Sequence, residues 1–412
     1  MTDTEIAKFA LLLFYTNLTQ CVGTLMVSVF FYLYTCLLVY YFLVSFIYII
    51  YSRYIGIRGF FKNVMVLFSS LLVFSIIFFI FCARHDCTLS LTCCTLALYN
   101  DFFIFFTITL NIFTTCGVCI VIVLTIITLF FGIEYMSREA FALDTIQTIV
   151  VFSASISWFI LSFSVCQLLI FWEFAGFFSL LLIDTYYSRI RTTQAMNRTF
   201  TISRLSDYFL LVSFAEIIYL FDTDSLSVIF TCVYSSYFSA VNTFNIFISL
   251  TTYTVVCLFL CFAAACKCAQ FVMFVWLPDA MEAPTPASAL IHSSTLVVMG
   301  IFLLIKFMPI LQFSTAAAKF LLVLGAITVL YGSLFSIYTS DLKKSVAYST
   351  ISQIGYLFCG CGFFAVTEVL LYLTLHAICK ALLFVFVGYI IHFFGGYTSL
   401  KRMGGIFFSY PL

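Results

Sequence analysis

Charge is what this chain has least of. Only 8% of its 412 residues are Asp, Glu, Lys or Arg, against roughly 25% in a soluble globular domain. No water-soluble protein of this length could cover its core with so few, so that class is excluded. The net charge of +1 leaves no field to hold a nucleic acid, and that class of partner is excluded too. Proline is down to five residues, and three of them, Pro278, Pro284 and Pro286, fall close together. The opening MTDTEIAKFA lacks the basic region and small-residue cleavage site of a secretory signal, which speaks against import by a cleaved presequence. There is no low-complexity linker, long charged tail or separate polar domain. What remains is 64% hydrophobic with a mean hydropathy of +1.18, the composition of an all-α polytopic membrane protein. The 54 Phe and 25 Tyr point to AT-rich codons and hint at an organellar genome.

Cysteine is plentiful at 17 residues, but it is scattered through apolar runs, where it packs as a small hydrophobe. Cys116 and Cys119 form a CGVC pair inside an apolar segment with no second pair, so helix packing explains them. The stretch Cys82–Cys94 holds Cys82, Cys87, Cys93, Cys94 and His85. Its spacing fits no zinc pattern, and its disulfide state is open.

Apolar runs of about 20 residues mark membrane spans. They are expected at 24–50, 63–82, 102–131, 146–163, 165–183, 204–221, 244–276 (broken), 288–306, 318–339, 345–364 and 368–394, about eleven in all, with 225–243 as an amphipathic piece along the surface. If the spans alternate, Arg53, Arg58, Lys62, Arg138, Arg189, Arg191, Arg198, Arg204, Lys343, Lys344, Lys401 and Arg402 fall on one side. Lys8, Arg84, Lys306 and Lys319 are left for the other. The positive-inside rule then puts the N terminus outside.

The chain is organised around Cys261–Phe307. Its first apolar run carries Lys267 and ends at the three prolines, and a second run opens with His292. A charge inside a membrane helix costs roughly 2.5–3.5 kcal/mol on insertion scales, which marks Lys267 as functional, and the prolines interrupt helical hydrogen bonding beside it. Glu173 sits midway along FWEFAGFFSLLLI, where a carboxylate has to be paired, solvated or protonated. Asp207 follows Arg204 by one turn near the start of a span, and a simple helix-end salt bridge accounts for it equally well. In LHAICKALLF, His376 and Lys380 are four apart and share a helical face, with Tyr372 one turn earlier. A lone intramembrane His is ordinarily packing; a His and Lys sharing a stripe favour a proton relay. Desolvation brings a Lys into the range of proton exchange near neutral pH, and a carboxylate about 4 Å away pulls it back by about 4 kcal/mol at an effective dielectric of 20. Glu173–Lys267 is thus expected as the input pair, His292 and His376 as the central link, and Lys380 as the outward donor.

These residues lie in GIEYM (Gly132–Met136), WEFAGFFSLLLI (Trp172–Ile183), SRLSD (Ser203–Asp207), CKCAQFVMFVWLPDAMEAPTPASALIHSST (Cys266–Thr295), DLKKSVAYSTISQIGYLF (Asp341–Phe358), LHAICKALLF (Leu375–Phe384) and KRMGGI (Lys401–Ile406). Over about 98–412 the chain resembles the antiporter-like membrane subunits of respiratory complex I, NADH–ubiquinone oxidoreductase. WExxGxxS and WLPDAMExPTPxSALIH are most like the chain 5 branch. The likeness to bacterial cation/proton antiporter subunits is more distant. Residues 1–97 match in hydropathy only.

The resemblance implies two inverted helical bundles, each with a broken helix. It divides the chain into N-terminal helices at 1–97, the first core part with Glu173 at 98–225, the surface piece and broken helix with Lys267 at 226–307, and a partial second bundle with His376 and Lys380 at 308–412. It implies that Glu173 pairs with Lys267, that Asp207, His292, His376 and Lys380 serve the proton path, and that Lys343 is a central-axis Lys, although a loop-end cation fits Lys343 equally well. It implies proton pumping coupled to NADH-to-ubiquinone electron transfer in the mitochondrial inner membrane, with the basic loops in the matrix. NADH, FMN, iron–sulfur clusters and ubiquinone would be held by other subunits, and this chain would hold no cofactor or metal. Expected partners are the other membrane-arm subunits, the adjacent antiporter-like subunit 4 above all, and lipids such as cardiolipin.

Two departures stand out. The family has a second His where this chain has Tyr372, and a phenol, with an ordinary pKa near 10, rarely ionises at pH 7. The chain also stops at Leu412, where the family begins its next helix, so either a separate polypeptide supplies the remaining helices and completes the second bundle or the chain is a truncated form. A free-standing sodium/proton antiporter and a purely structural arm subunit are the competing readings.

Overall fold

A computed structural model of the chain describes residues 33–41, 43, 56, 59–84, 88–97, 103–137, 139–240, 246–293 and 295–403. Residues 33–41 are helical and are all that is described of the expected span 24–50, apart from residue 43. Then come α1 (Gly59–Arg84), β1 (Leu89–Ala97) and β2 (Phe103–Leu110), and the helices α2 (Ile112–Tyr135), α3 (Ala142–Leu161), α4 (Val165–Ile183), α5 (Ile190–Phe221), α6 (Leu226–Ala240) and α7 (Ile246–Lys267). The short α8 (Trp276–Asp279) leads to α9 (Thr285–Ser293), α10 (Leu296–Lys306), α11 (Met308–Leu311), α12 (Thr315–Tyr338), α13 (Leu342–Gly362) and α14 (Val366–Phe393).

The hairpin corrects the expected helix over 102–131, which starts only at Ile112. FIFFTITL is aromatic or β-branched at all but its last position, a composition that fits a pleated strand. It pairs antiparallel with β1 from Leu89↔Leu110 to Ala97↔Phe103. Asn111 then starts α2 with a reciprocal cap: its side chain accepts from the Thr114 N–H at 2.7 Å, and Thr114 Oγ1 accepts from the Asn111 N–H at 2.9 Å. The stretch Cys82–Cys94 is therefore partly strand. Cys82 ends buried with its thiol 3.9 Å from the Leu110 carbonyl, while His85, Cys87 and the side chains of Cys93 and Cys94 lie outside the described residues.

α5 begins at Ile190, well before the expected start at 204, so Arg191, Arg198 and Arg204 are helical residues instead of loop cations. Nothing between 190 and 203 breaks a helix: the segment has neither Gly nor Pro. Arg198 is held by Asp279 at 2.7 Å. The helix stops at Asp222, whose φ of 53° is left-handed. The expected surface piece is α6, which buries Leu226, Ile229 and Val233 along one face and exposes Val228 and Tyr234.

α7 ends at Lys267, and the backbone beyond it turns through Ala269 and Val272 at φ 50° and 76°, conformations that L-residues with side chains rarely hold. The expected single span at 288–306 is two helices, α9 and α10, with a break that passes through Thr295 at φ −114°, ψ −100°. Thr295 Oγ1 donates to the Leu290 carbonyl at 2.7 Å, which satisfies a group the break frees. The whole of Thr285–Lys306 is enclosed by other helices. That is the condition on which broken backbone survives at membrane depth.

Seven helices among the described residues are long and apolar enough to cross a membrane: α1 to α4, the α9–α10 pair, α12 and α14. α5 and α13, which the eleven-span reading also counts, carry too many polar groups to be among them, and α7 is described as an apolar helix only from Thr252. α12 and α13 pack backbone against backbone at glycines. A methyl on Gly355 would stand 2.9 Å from the Gly325 carbonyl, and one on Gly332 would stand 2.7 Å from the Ser352 nitrogen; only small residues permit that approach.

Candidate functional site

Lys267 closes α7 with its side chain only 2% exposed. Its amine lies 3.4 Å from Asp207 Oδ1, near enough for charge pairing but without a hydrogen bond that meets normal geometry. Trp172 of α4 holds that carboxylate in place, its Nε1 donating to Asp207 Oδ1 at 2.9 Å, and the same ring faces the amine at 5.3 Å from its centroid. One turn along α4, Gly176 leaves the amine its space: a Cβ there would stand 3.0 Å from Nζ. Ser206, beside Asp207, donates to the Ala263 carbonyl at 2.7 Å and fixes α5 against α7. A cavity of about 10 Å³, lined by Lys267, Ser179, Thr199 and Ser203 among others, has room for about one water.

The expected direct Glu173–Lys267 pair is replaced by a longer row. Glu173 Oε2 pairs with Arg204 at 2.7 Å, and Arg204 also reaches Asp207 Oδ2 at 3.5 Å, so the order is Glu173, Arg204, Asp207, Lys267. Helix geometry gives the reason. Trp172 and Gly176 are four apart and face inward together, whereas Glu173 is rotated about 100° from Trp172 and emerges 36% exposed beside Arg204 at 42%. The alternative of a helix-end bridge between Arg204 and Asp207 also changes, because both lie well inside α5.

The histidines meet where α9 packs against α14. His292 is fully buried, with its ring 5.8 Å from that of Phe384 of α14. His376 is also buried, its ring against the backbone of His292. None of the four ring nitrogens makes a well-formed hydrogen bond to a described residue. Lys380 donates to Ser349 Oγ at 2.7 Å, and Tyr372 donates to Gln353 Oε1. Ser349 and Gln353, four apart on α13, thus serve Lys380 and Tyr372, eight apart on α14. Lys343 donates to the Ala283 carbonyl at 3.1 Å, with the Glu282 carboxylate near enough to act on it. It is therefore tied to the broken segment and is not a free loop-end cation.

Several participants were not foreseen. Trp172 and Gly176 stood in the sequence beside Glu173 without a signal of their own. Ser349 and Gln353 had one: polar residues at helical spacing within a span. Gln270, just past the break, accepts from Thr328 of α12 at 2.8 Å and donates to the Cys268 carbonyl at 3.2 Å. Lys306, expected on the outer face, is buried and donates to the carbonyls of Phe159 and Ser162 at 2.7 and 2.6 Å, a cation at the C-terminal end of α3.

A bundle of apolar helices, broken where a buried amine faces a carboxylate, is the architecture of a polytopic membrane protein of the antiporter type. Residues 162–412 match the family described as NADH:quinone oxidoreductase/Mrp antiporter, TM, and the chain belongs to that family. It is 51% identical to NADH-ubiquinone oxidoreductase chain 5 of Nyctotherus ovalis over 88% of this chain and 20% of that protein. It is 31% identical to chain 5 of Chondrus crispus over 88% of this chain and 54% of that one. The chain thus spans a fifth to about half the length of these relatives. Its fold resembles a chain in the archaeal membrane-bound sulfane sulfur reductase, with a TM-score of 0.77, 17% identity, and 90% and 73% of the two chains covered. It also resembles a chain in the Mrp complex from a Dietzia species, with a TM-score of 0.74, 24% identity, and 87% and 38% covered.

Proposed function

We propose that this chain is a proton-translocating, antiporter-like membrane-arm subunit of an NADH:ubiquinone oxidoreductase, and that it couples electron transfer carried out by other subunits to proton movement through Lys267, His292, His376 and Lys380. The observation that carries the reading is the buried Lys267 amine at the end of a broken helix, 3.4 Å from Asp207. Small movements of the strained backbone at Ala269 and Val272 would change that separation. Glu173 and Arg204 reach the surface of the chain next to this pair, so a neighbouring subunit could bias it by drawing Glu173 away. In this reading Lys343 is the central cation between the first pair and the histidines, and Tyr372 borders the outward half.

The reading extends to the mitochondrial inner membrane, with the N terminus on the intermembrane side and the basic loops in the matrix. NADH, FMN, iron–sulfur clusters and ubiquinone are bound elsewhere in the complex. Proposed neighbours are the antiporter-like subunit 4 and cardiolipin. Co-purification of the native complex identifies them. The test of function is Lys267→Ala in the intact complex in vesicles. NADH oxidation with an artificial acceptor persists, whereas proton translocation and quinone-coupled turnover fall by roughly 10²-fold or more, as expected on removing a group that transfers the proton. Full pumping by that variant would remove Lys267 from the path.

A further inference from the structure

On α14 the spacing that joins Tyr372, His376 and Lys380 extends one step further back, to Glu368. Residues four apart on a helix are neighbours, so these four side chains form one gently winding row from the first turn of the helix to its middle. Glu368 and Tyr372 also share a groove of about 470 Å³ between α13 and α14, whose other walls are Tyr356, Leu357, Gly360 and Val369. Gly360 sets the closeness of those walls: a Cβ there would stand 2.6 Å from Val369 Cγ2. The row therefore passes from an exposed carboxylate in an open groove, past a phenol at the groove wall, to a buried imidazole and a buried amine.

A carboxylate in the first turn of a helix is favourable whatever else it does, and Glu368 also accepts a hydrogen bond from Thr367 Oγ1 at 2.8 Å. That accounts for an acid somewhere in this turn. It does not account for its position one turn from Tyr372, in the groove that Tyr372 borders. The phenol is the weak member of the row because it rarely ionises at neutral pH, and its partner Gln353 accepts a proton contact without having an ionisable proton to pass on.

We propose that Glu368 is the proton-exchanging group at the surface end of the Tyr372–His376–Lys380 row, and that the α13–α14 groove is its mouth. The inference rests on the proton-translocation reading above. A proton carried by His376 is given to the Tyr372 oxygen while the phenol gives its own proton, directly or through one water, to the Glu368 carboxylate. The resulting carboxylic acid releases that proton to the aqueous phase, and the phenol turns its hydroxyl back to Gln353. One N–H and one O–H bond break, two O–H bonds form, and one proton has moved outward with no other change.

The experiment uses the intact complex in sealed vesicles with a pH-sensitive dye, comparing Glu368→Gln, Glu368→Asp, Tyr372→Phe and Lys380→Met. Glu368→Gln is expected to lower protons translocated per NADH roughly tenfold, below the 10²–10⁴ of a fixed general acid or base because water reaches an open mouth. Glu368→Asp is expected to restore most of it. Unchanged translocation in Glu368→Gln, with Lys380→Met inactive, overturns the role of Glu368 and leaves the proton-translocation reading standing. Unchanged translocation in Lys380→Met sinks that reading and this proposal with it. If the Gln variant does not assemble, Tyr372→Phe carries the test, since it cuts the row without touching the helix start: loss of translocation supports the row, and full translocation overturns it.

Discussion

Asp207 is shared by two cations, the buried Lys267 amine and the half-exposed Arg204 guanidinium. The two ion pairs of this row therefore weigh very differently. Breaking a buried pair by removing one partner costs about 3–5 kcal/mol, because the other charge is left in a poor solvent. A solvent-facing pair is worth about 0–1 kcal/mol. Asp207→Asn is accordingly expected to lower the melting temperature and assembly of the complex sharply, while Glu173→Gln leaves both nearly unchanged. Thermal stability of the two solubilised variants side by side checks this, and equal losses would contradict the assignment of Lys267 to Asp207. Gly176→Ala brings a methyl to 3.0 Å from the same amine. It is expected to impair coupled turnover while leaving the amount of assembled complex intact. At Lys306 the prediction is chemical: Lys306→Met leaves the Phe159 and Ser162 carbonyls without their donor and costs about 1–3 kcal/mol, whereas Lys306→Arg retains most of it.

Elements in this chain are set by how their backbone groups can be satisfied away from water. The hairpin Leu89–Leu110 shows where a sequence is ambiguous. A run of apolar residues does not by itself say whether it is a strand or a buried helix: FIFFTITL has the composition of the front of a span, and only its pairing with β1 makes it a strand. The cap at Asn111 is the boundary signal that the run itself lacked. Asn111→Ala removes the side-chain acceptor for the Thr114 N–H and is expected to destabilise the junction by about 1 kcal/mol, visible as faster hydrogen exchange at the first turn of α2. The α12–α13 contact is stricter. Gly355→Leu would force a side chain into the Gly325 backbone and separate the helix that carries Ser349 and Gln353 from the bundle. Loss of assembly in that variant, against near-normal assembly of a change at an exposed position of α12 such as Leu330→Ala, measures how much of the second half depends on that close approach.

At the scale of the molecule, the enclosed pair α9–α10 is the axis: α10 packs against α7, which ends at Lys267, and α9 packs against α14, which carries the His376–Lys380 row. The sequence by itself determined the polytopic helical class, because so little charge on so long a chain leaves no other solvent than lipid. It also determined most spans and the break after Lys267, and it singled out Lys267, Asp207, His292, His376 and Lys380, since each violates the apolar pattern around it, while it misplaced Glu173 and Lys306. Only the tertiary structure decided which of those groups meet. Whether Glu173 or Asp207 serves Lys267, and whether Lys306 lies outside or under α3, depends on the rotation of each helix about its own axis. That rotation is fixed by packing at Trp172, Gly176 and Gly355. A one-dimensional pattern records where a charge sits along a helix, and only the neighbouring helices decide which way it turns.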